Sequence, residues 1–502
     1  MQRRIDEART YDGEKVAWTP CGELDGERLE SSTIHVPMDQ INKTTDDANQ
    51  TFSIPLLRLR GANATKNLLV NPGGPGTSGT SLILRRGKRL RAIVGDGYHI
   101  LGFDPRGVNK SHPAAVFYSD QGTRDRLAPS APSQWAIPIS DAGRLKPRIS
   151  AWADNISRAS AETNGEHGKY LNTPQTAADM SSILDAVGQQ DMHYWGFSYG
   201  SLLGQTYAMM FPERSARIII DGVVDVFEWY GELLRRSEFE SRPDTFRGFF
   251  DECIKAKDDC ALSSFASNAE ELQCEVMGFL DKLDQDPVSV YVDNTTHGVL
   301  DKHTLYQAML RELFFHENWQ PLADRLAKLM QGDGKPAFLA YGQQGRSAPL
   351  SSEHNSIIRF NDMISGKDNW PQGQDLFNYI LPLLEMSPND AVEILQEYYT
   401  KAQWAIPKTH EFTPPRHVET KHPLLILSMT CDPFTPLSSA HKASQAFRGS
   451  RVVEVEGYGH SSLSVRSDGA VEHVRRFLHD GVLPEQDVKC AVDSLYFPKR
   501  AV

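Results

Sequence analysis

A chain of 502 residues exceeds what one simple core holds; at roughly 150 residues per domain it implies two or three units, or one core enlarged by an insertion. The composition, 40% hydrophobic and 24% charged, supplies enough apolar material for a sizeable core. A net charge of −12 without a long basic stripe argues against nucleic acid as a partner, because phosphate neutralisation supplies most non-specific affinity.

Along the chain, short apolar and β-branched runs recur, each ending in a turn signal. Near the N-terminus, Val36-Pro37-Met38-Asp39 and Phe52-Ser53-Ile54-Pro55-Leu56-Leu57-Arg58-Leu59 predict an antiparallel hairpin leading into a larger sheet. Asn67-Leu68-Leu69-Val70 runs into Asn71-Pro72-Gly73-Gly74, and Ser81-Leu82-Ile83-Leu84 then opens a helix. The basic stretch Arg85-Arg86-Gly87-Lys88-Arg89-Leu90-Arg91 reads as a solvated face of that helix. Tyr98-His99-Ile100-Leu101-Gly102-Phe103 runs into Asp104-Pro105-Arg106-Gly107, His193-Tyr194-Trp195-Gly196 into Ser198, and Arg217-Ile218-Ile219-Ile220 into Asp221-Gly222. After about 200 residues without a comparable series come Pro423-Leu424-Leu425-Ile426-Leu427-Ser428 and Arg451-Val452-Val453-Glu454-Val455. Such runs predict buried strands of a mostly parallel sheet flanked by helices, an α/β architecture. The intervening stretch instead carries helical patterns, such as Thr304 to Phe315, Leu322 to Met330 and Ala391 to Ala402. The expected organisation is a core formed by residues 1–225 and 411–502, with residues 226–410 as a mainly helical insertion of the kind that forms a lid.

No run approaches the ~18 apolar residues of a membrane span. The N-terminus, Met1-Gln2-Arg3-Arg4-Ile5-Asp6-Glu7, has no apolar h-region, so a cytoplasmic chain is expected, with a secreted one whose leader has been removed as the alternative. Six cysteines, at positions 21, 253, 260, 274, 431 and 490, form no C-x-x-C pair; Cys253 and Cys260 are close enough to be bridged across a turn, which spacing alone leaves open. Sequons stand at Asn42, Asn49, Asn63, Asn109, Asn155 and Asn294 and permit glycosylation only if the chain is secreted.

The chemistry gathers on three turns. Gly196-Phe197-Ser198-Tyr199-Gly200 matches G-x-S-x-G between a strand-like run and a helix, where a sharp turn exposes the serine hydroxyl. That hydroxyl needs a base, and His460 in Gly457-Tyr458-Gly459-His460-Ser461-Ser462 follows the last strand-like run. Asp432, in Thr430-Cys431-Asp432-Pro433-Phe434-Thr435-Pro436, follows the preceding run and can orient the imidazole; Asp221 and Asp225 are its rivals. Acyl transfer also needs oxyanion donors, for which the backbone N–H of Tyr199 and that of Gly73 or Gly74 are the candidates. Gly74-Pro75-Gly76-Thr77-Ser78-Gly79 formally satisfies a dinucleotide-binding G-x-G-x-x-G, with Asp96 about twenty residues on. Pro75 removes an amide from a loop that should wrap a pyrophosphate, which counts against that reading. His410, His417 and His422 lie on a Pro-containing stretch without metal-ligand spacing, so neither metal nor cofactor is expected.

Taken together in this order, the Asn71-Pro72-Gly73-Gly74-Pro75-Gly76 turn, Gly102-Phe103-Asp104-Pro105-Arg106-Gly107, Gly196-Phe197-Ser198-Tyr199-Gly200, Asp432-Pro433-Phe434-Thr435-Pro436 and Gly459-His460 resemble the tripeptidyl aminopeptidase branch of the α/β hydrolases, related to the prolyl aminopeptidases. The resemblance runs from about Trp18-Thr19-Pro20-Cys21-Gly22 to Cys490 and is weakest over the insertion. It implies an α/β-hydrolase fold and a Ser-His-Asp exopeptidase acting on small peptides through an acyl-enzyme. An esterase, lactonase or thioesterase acting on a small metabolite is the alternative, since the triad does not distinguish amide from ester. The resemblance also implies carboxylates that hold the substrate amine; Glu228, Glu232, Glu238 and Glu240 are available, although such residues read first as solvated helix charges. Secreted members carry a second cysteine shortly after the one matching Cys21, whereas here Leu29-Glu30-Ser31-Ser32-Thr33 stands in its place, leaving Cys21 without that partner.

Overall fold

The computed structural model describes residues 8–42, 50–132, 142–342 and 350–500; Met1–Glu7 and the Asn49 sequon lie outside them. Among the described residues, eleven strands form one sheet. In chain order the strands are β1 (Arg9–Thr10), β2 (Ala17–Leu24), β3 (Glu27–Pro37), β4 (Thr51–Leu59), β5 (Lys66–Asn71), β6 (Tyr98–Phe103), β7 (Met192–Phe197), β8 (Ser215–Asp221), β9 (Val288–Asp293), β10 (Thr296–Leu300), β11 (Leu425–Cys431), β12 (Arg451–Tyr458) and β13 (Val488–Ala491). The sheet order is β1-β2-β3-β4-β6-β5-β7-β8-β11-β12-β13, and β9 and β10 form a separate hairpin.

The expected N-terminal hairpin is β3 with β4, in antiparallel register from Leu29 opposite Leu59 to Pro37 opposite Thr51. β4 joins the rest of the sheet through antiparallel pairing with β6, and from β6 to β13 every pairing is parallel. Residues alternate between two apolar layers along these strands. Val70, Ile219, Leu427 and Val453 enter one layer, and Leu69, Ile220, Ile426 and Val452 the other. Burial on both faces explains why the strands read as unbroken apolar runs.

Five strands escaped the sequence reading: β1, β2, β9, β10 and β13. β2 holds Pro20 and Gly22, where the ladder with β3 shifts register, and β13 has only four residues with one of them buried. Among the described residues of 226–410 helices predominate, and β9 and β10 form a hairpin between them, turning at Asn294-Thr295. Helices Gly373–Met386 and Ala391–Ala402 share an apolar cluster with the helix Ala142–Gly168, which precedes β7 in the chain. The helix Arg242–Ala256 lies against β12 through a glycine: a Cβ on Gly248 would sit 2.2 Å from a ring carbon of Tyr458.

Cys253 and Cys260 form a disulfide, and Cys21 is free and exposed. Asn109 is occupied, its amide donating to Asp104 Oδ2 (2.7 Å) and Ser78 Oγ (3.1 Å). Among the described residues no helix is long and apolar enough to cross a membrane.

Candidate active site

Ser198 stands between β7 and the helix Tyr199–Met210, at φ 57° and ψ −125°, a conformation that non-glycine residues adopt rarely. The flanking glycines make that turn possible. A Cβ on Gly196 would lie 2.2 Å from Gly200 O, and one on Gly200 would lie 2.6 Å from Asn71 O. Ser198 N–H donates to Asp221 O (2.9 Å), which ties the turn to the end of β8.

Asp432 and His460 come together at the carboxyl ends of β11 and β12. His460 Nδ1 lies 2.8 and 3.0 Å from the two Asp432 oxygens. Asp432 also accepts from the N–H groups of Phe434 and Thr435, each at 2.9 Å, and of Ser461 at 3.0 Å. The aspartate is wholly buried and His460 is 9% exposed. Burial alone would push the Asp432 carboxyl up, but the His460 charge and these hydrogen bonds bring it below its ordinary value. Burial disfavours charged His460, yet Asp432 outweighs it and raises the imidazole above its ordinary value. Such a pair can hold one imidazole tautomer and stabilise the imidazolium.

The rival carboxylates are engaged elsewhere. Asp225 caps the helix Val226–Gly231 and pairs with Lys442 at 2.6 Å. Asp221 accepts from Ser462 N–H (2.8 Å), Ser462 Oγ–H (2.5 Å) and Trp195 Nε1–H (3.2 Å).

The glycine-rich turn after β5 passes directly over the serine. A Cβ on Gly73 would sit 2.4 Å from Phe197 O and 2.8 Å from Ser198 Cβ. Gly73 N–H already donates to Asn71 Oδ1 at 2.9 Å. Of the two glycines, Gly74 is therefore the one whose amide has no acceptor among the described residues, and Gly74, Ser198 and Tyr199 line one cavity. Asn71 was not singled out from sequence, because its part is to occupy an amide rather than to meet a ligand.

That cavity, about 150 Å³, is lined on the far side by residues of the 226–410 segment. It lies below the ~300 Å³ of most small-molecule sites. Trp229 and Phe434 give it apolar walls; Glu228, Glu238, Arg235 and Arg359 give it charge. Arg235 contacts Glu238 (2.5 Å) and Glu397 (3.2 Å), and Arg359 also bonds Glu397. Glu228 accepts from Arg236 N–H (2.7 Å) and Ser237 N–H (3.1 Å). Two of the four glutamates thus face the serine, while Glu232 and Glu240 are exposed. The chain reverses after the helix Val226–Gly231 and brings residues 235–238 back to the same cavity, a turn that local charge pattern does not announce. Arg235 was missed for the same reason, and Arg359 because it reaches the cavity from the distant helix Leu350–Asp362.

Behind the cavity, Asp362 accepts from Thr173 N–H (2.7 Å), Thr173 Oγ1–H (2.5 Å) and Trp229 Nε1–H (3.1 Å). Thr173 Oγ1 also lies 2.5 Å from Tyr199 Oη. The helix Leu350–Asp362 further reaches the glycine turn, through Asn355 Nδ2–H to Pro75 O at 3.2 Å.

Comparison with known proteins agrees with this architecture. The sequence profile of the alpha/beta hydrolase fold family matches residues 66–466. The chain is similar to serine protease Hip1 of Mycobacterium tuberculosis, 24% identical over 508 residues that cover 95% of this chain and 91% of that protein. It is 25% identical to a tripeptidyl aminopeptidase of Streptomyces lividans over 436 residues, covering 84% of this chain and 76% of the relative. Among solved structures it matches a proline iminopeptidase of Mycobacterium smegmatis, at 12% identity and a TM-score of 0.35, over 89% of this chain and 98% of that one. The chain belongs to the α/β-hydrolase family and is a serine hydrolase.

Proposed function

We propose that this serine hydrolase is an aminopeptidase that releases short peptides or single residues from peptide N-termini, with Ser198 as nucleophile, His460 as base and Asp432 as orienting acid. The observation that carries the reading is the small charged cavity over Ser198, lined by Glu228 and Glu238. Glu228 and Glu238 share the lining with Arg235 and Arg359 but can still offer carboxylate oxygens to a substrate ammonium group, and a cavity of this size admits the end of a chain rather than its middle. The names of the relatives, a serine protease and a tripeptidyl aminopeptidase, support the same choice.

In this reading His460 takes the Ser198 proton while Oγ attacks the carbonyl carbon. The oxyanion that forms accepts from Tyr199 N–H and Gly74 N–H, preset donors that need no reorganisation. The imidazolium, stabilised by Asp432, returns its proton to the leaving amine as the C–N bond breaks. Water then attacks the acyl-serine, giving one proton to His460, and the acid departs as Ser198 regains its proton. The segment 226–410 acts as a lid that admits the amino-terminal end and excludes bulk water.

The deciding experiment compares aminoacyl- and tripeptidyl-arylamides with their N-acetylated forms. Turnover of the free amines that is lost on acetylation is the expected result. Hydrolysis of p-nitrophenyl esters with no arylamide activity would overturn the peptidase in favour of an esterase.

A further inference from the structure

Asp221 ends β8 at the centre of the sheet's carboxyl edge, in register with Phe197 of β7 on one side and Leu427 of β11 on the other. It is therefore one residue removed from the nucleophile turn laterally and close to the strand that delivers Asp432. It is wholly buried. Its main-chain oxygen holds Ser198 N–H, and its carboxylate takes both the N–H and the hydroxyl of Ser462, two residues beyond His460. One residue thus grips the turn that carries the nucleophile and the loop that carries the base.

Few charges surround the imidazole. Among the described residues, the titratable groups acting on His460 are Asp432, from the turn after β11, and Asp221, from the end of β8. The remaining close neighbours are neutral: the rings of Phe314 and Phe434, 5.1 and 6.1 Å away between centroids, and the Thr435 hydroxyl. Asp221 in turn faces Asp432 and its own donors from Ser462 and Trp195. Burial pushes its carboxyl up to about 6, and the Ser462 and Trp195 donors hold it from rising further.

The geometry points to Asp221 as a positioning residue of the hydrolytic centre, one that keeps the His460 loop and the Ser198 turn in register and sets a second negative charge beside the imidazole. It acts through Ser462 and His460 and touches no substrate. The inference rests on the roles given above to Ser198, His460 and Asp432, but not on the choice of a peptide as substrate. A buried carboxylate there is costly unless its donors are fixed, and fixing them immobilises the loop on which the base rides.

The test reads serine activation without reference to substrate: the rate of fluorophosphonate labelling of Ser198, followed between about pH 5 and pH 9. The imidazole must be neutral to act, so labelling rises with pH through its titration. Removing a nearby anion lowers the pKa of His460. Asp221→Asn should therefore move the half-maximal rate to lower pH by roughly half a unit to one unit, and lower the plateau by about tenfold. Ser462→Ala, which removes only the hydroxyl donor, should lower the plateau several-fold, and Ser462→Thr should restore it. A folded Asp221→Asn protein with the wild-type midpoint and plateau would sink the inference, as would a wild-type plateau in Ser462→Ala. If Asp221→Asn does not accumulate as folded protein, the Ser462 pair decides alone. Normal wild-type labelling with unaltered variants removes Asp221 only; an unlabelled wild type removes the assigned roles of Ser198 and His460, and this inference with them.

Discussion

The carboxyl edge of the sheet and the charged layer that faces it follow different rules. At the edge, Ser198, Asp432 and His460 each follow a strand whose neighbours are set by parallel register, so their positions derive from apolar runs and glycine turns. In the opposing layer, Glu238, Arg235, Glu397 and Arg359 form a chain of ion pairs drawn from three separate stretches of the chain: the reversal at residues 235–238 and the helices Leu350–Asp362 and Ala391–Ala402. The first arrangement is periodic and can be read one-dimensionally. The second exists only after the helices have packed. In the function proposed above, chemistry resides in the periodic part and substrate choice in the other.

The largest effect should come from the edge. Ser198→Ala should abolish fluorophosphonate labelling and lower hydrolysis by about 10⁴-fold or more, with its urea midpoint near wild type. Comparable activity in that variant would break the division outright. Asp432→Asn should cost about 10³–10⁴-fold in kcat/KM, because the amide cannot hold the same tautomer or stabilise the imidazolium. A far smaller loss would mean that another carboxylate orients His460.

The charged layer should behave otherwise. Glu238→Gln should raise KM for free-amine substrates by roughly 10–100-fold and leave fluorophosphonate labelling unchanged. Equal losses in both assays would erase the separation of chemistry from recognition.

Asp362 belongs to neither category and sharpens the boundary. Asp362→Ala strands two Thr173 donors and the Trp229 indole, and should cost about 2–4 kcal/mol of stability in urea unfolding. A smaller expected effect concerns pH. Burial pushes the Asp362 carboxyl up to about 6. A carboxyl that holds its proton more tightly when folded contributes stability that is complete below its unfolded value, near 4, and is lost as pH rises through about 6. Wild-type stability should therefore gain a downward slope across that window, and Asp362→Asn should flatten it. Asp221, also near 6, adds a slope of the same sign, so flattening is partial. Asp432, held low, has its own loss at more acid pH. An unchanged slope in urea midpoints would show that Asp362 does not titrate there.

What the sequence made legible follows the same line. β5, β6, β7, β8, β11 and β12 were readable because burial on both faces demands continuous apolar runs. β2 was hidden by Pro20 and Gly22, and β13 by its brevity. Ser198 and His460 announced themselves through flanking glycines, which a strained turn or a close backbone approach requires. Asp432 needed the family likeness as well, since Asp221 follows its own strand with equal regularity; the two separate in three dimensions, where Asp432 takes the imidazole and Asp221 takes Ser462. Glu228 and Glu238 resembled ordinary surface charge, because nothing in a helix signals which solvent-facing side chain another segment will cover.

The contact between Gly248 and Tyr458 bears on how such a scaffold could be given a new specificity. The first long helix of the 226–410 segment rests on the strand that leads to His460 only because position 248 lacks a side chain, leaving a notch for the aromatic ring two residues before His460. A foreign segment grafted between β8 and β11 must bring a matching notch or displace that ring, and displacing it would disturb the strand from which His460 hangs. Any segment exchanged at this place is thus constrained at its joint, by one missing methyl group, before its own side chains come into play.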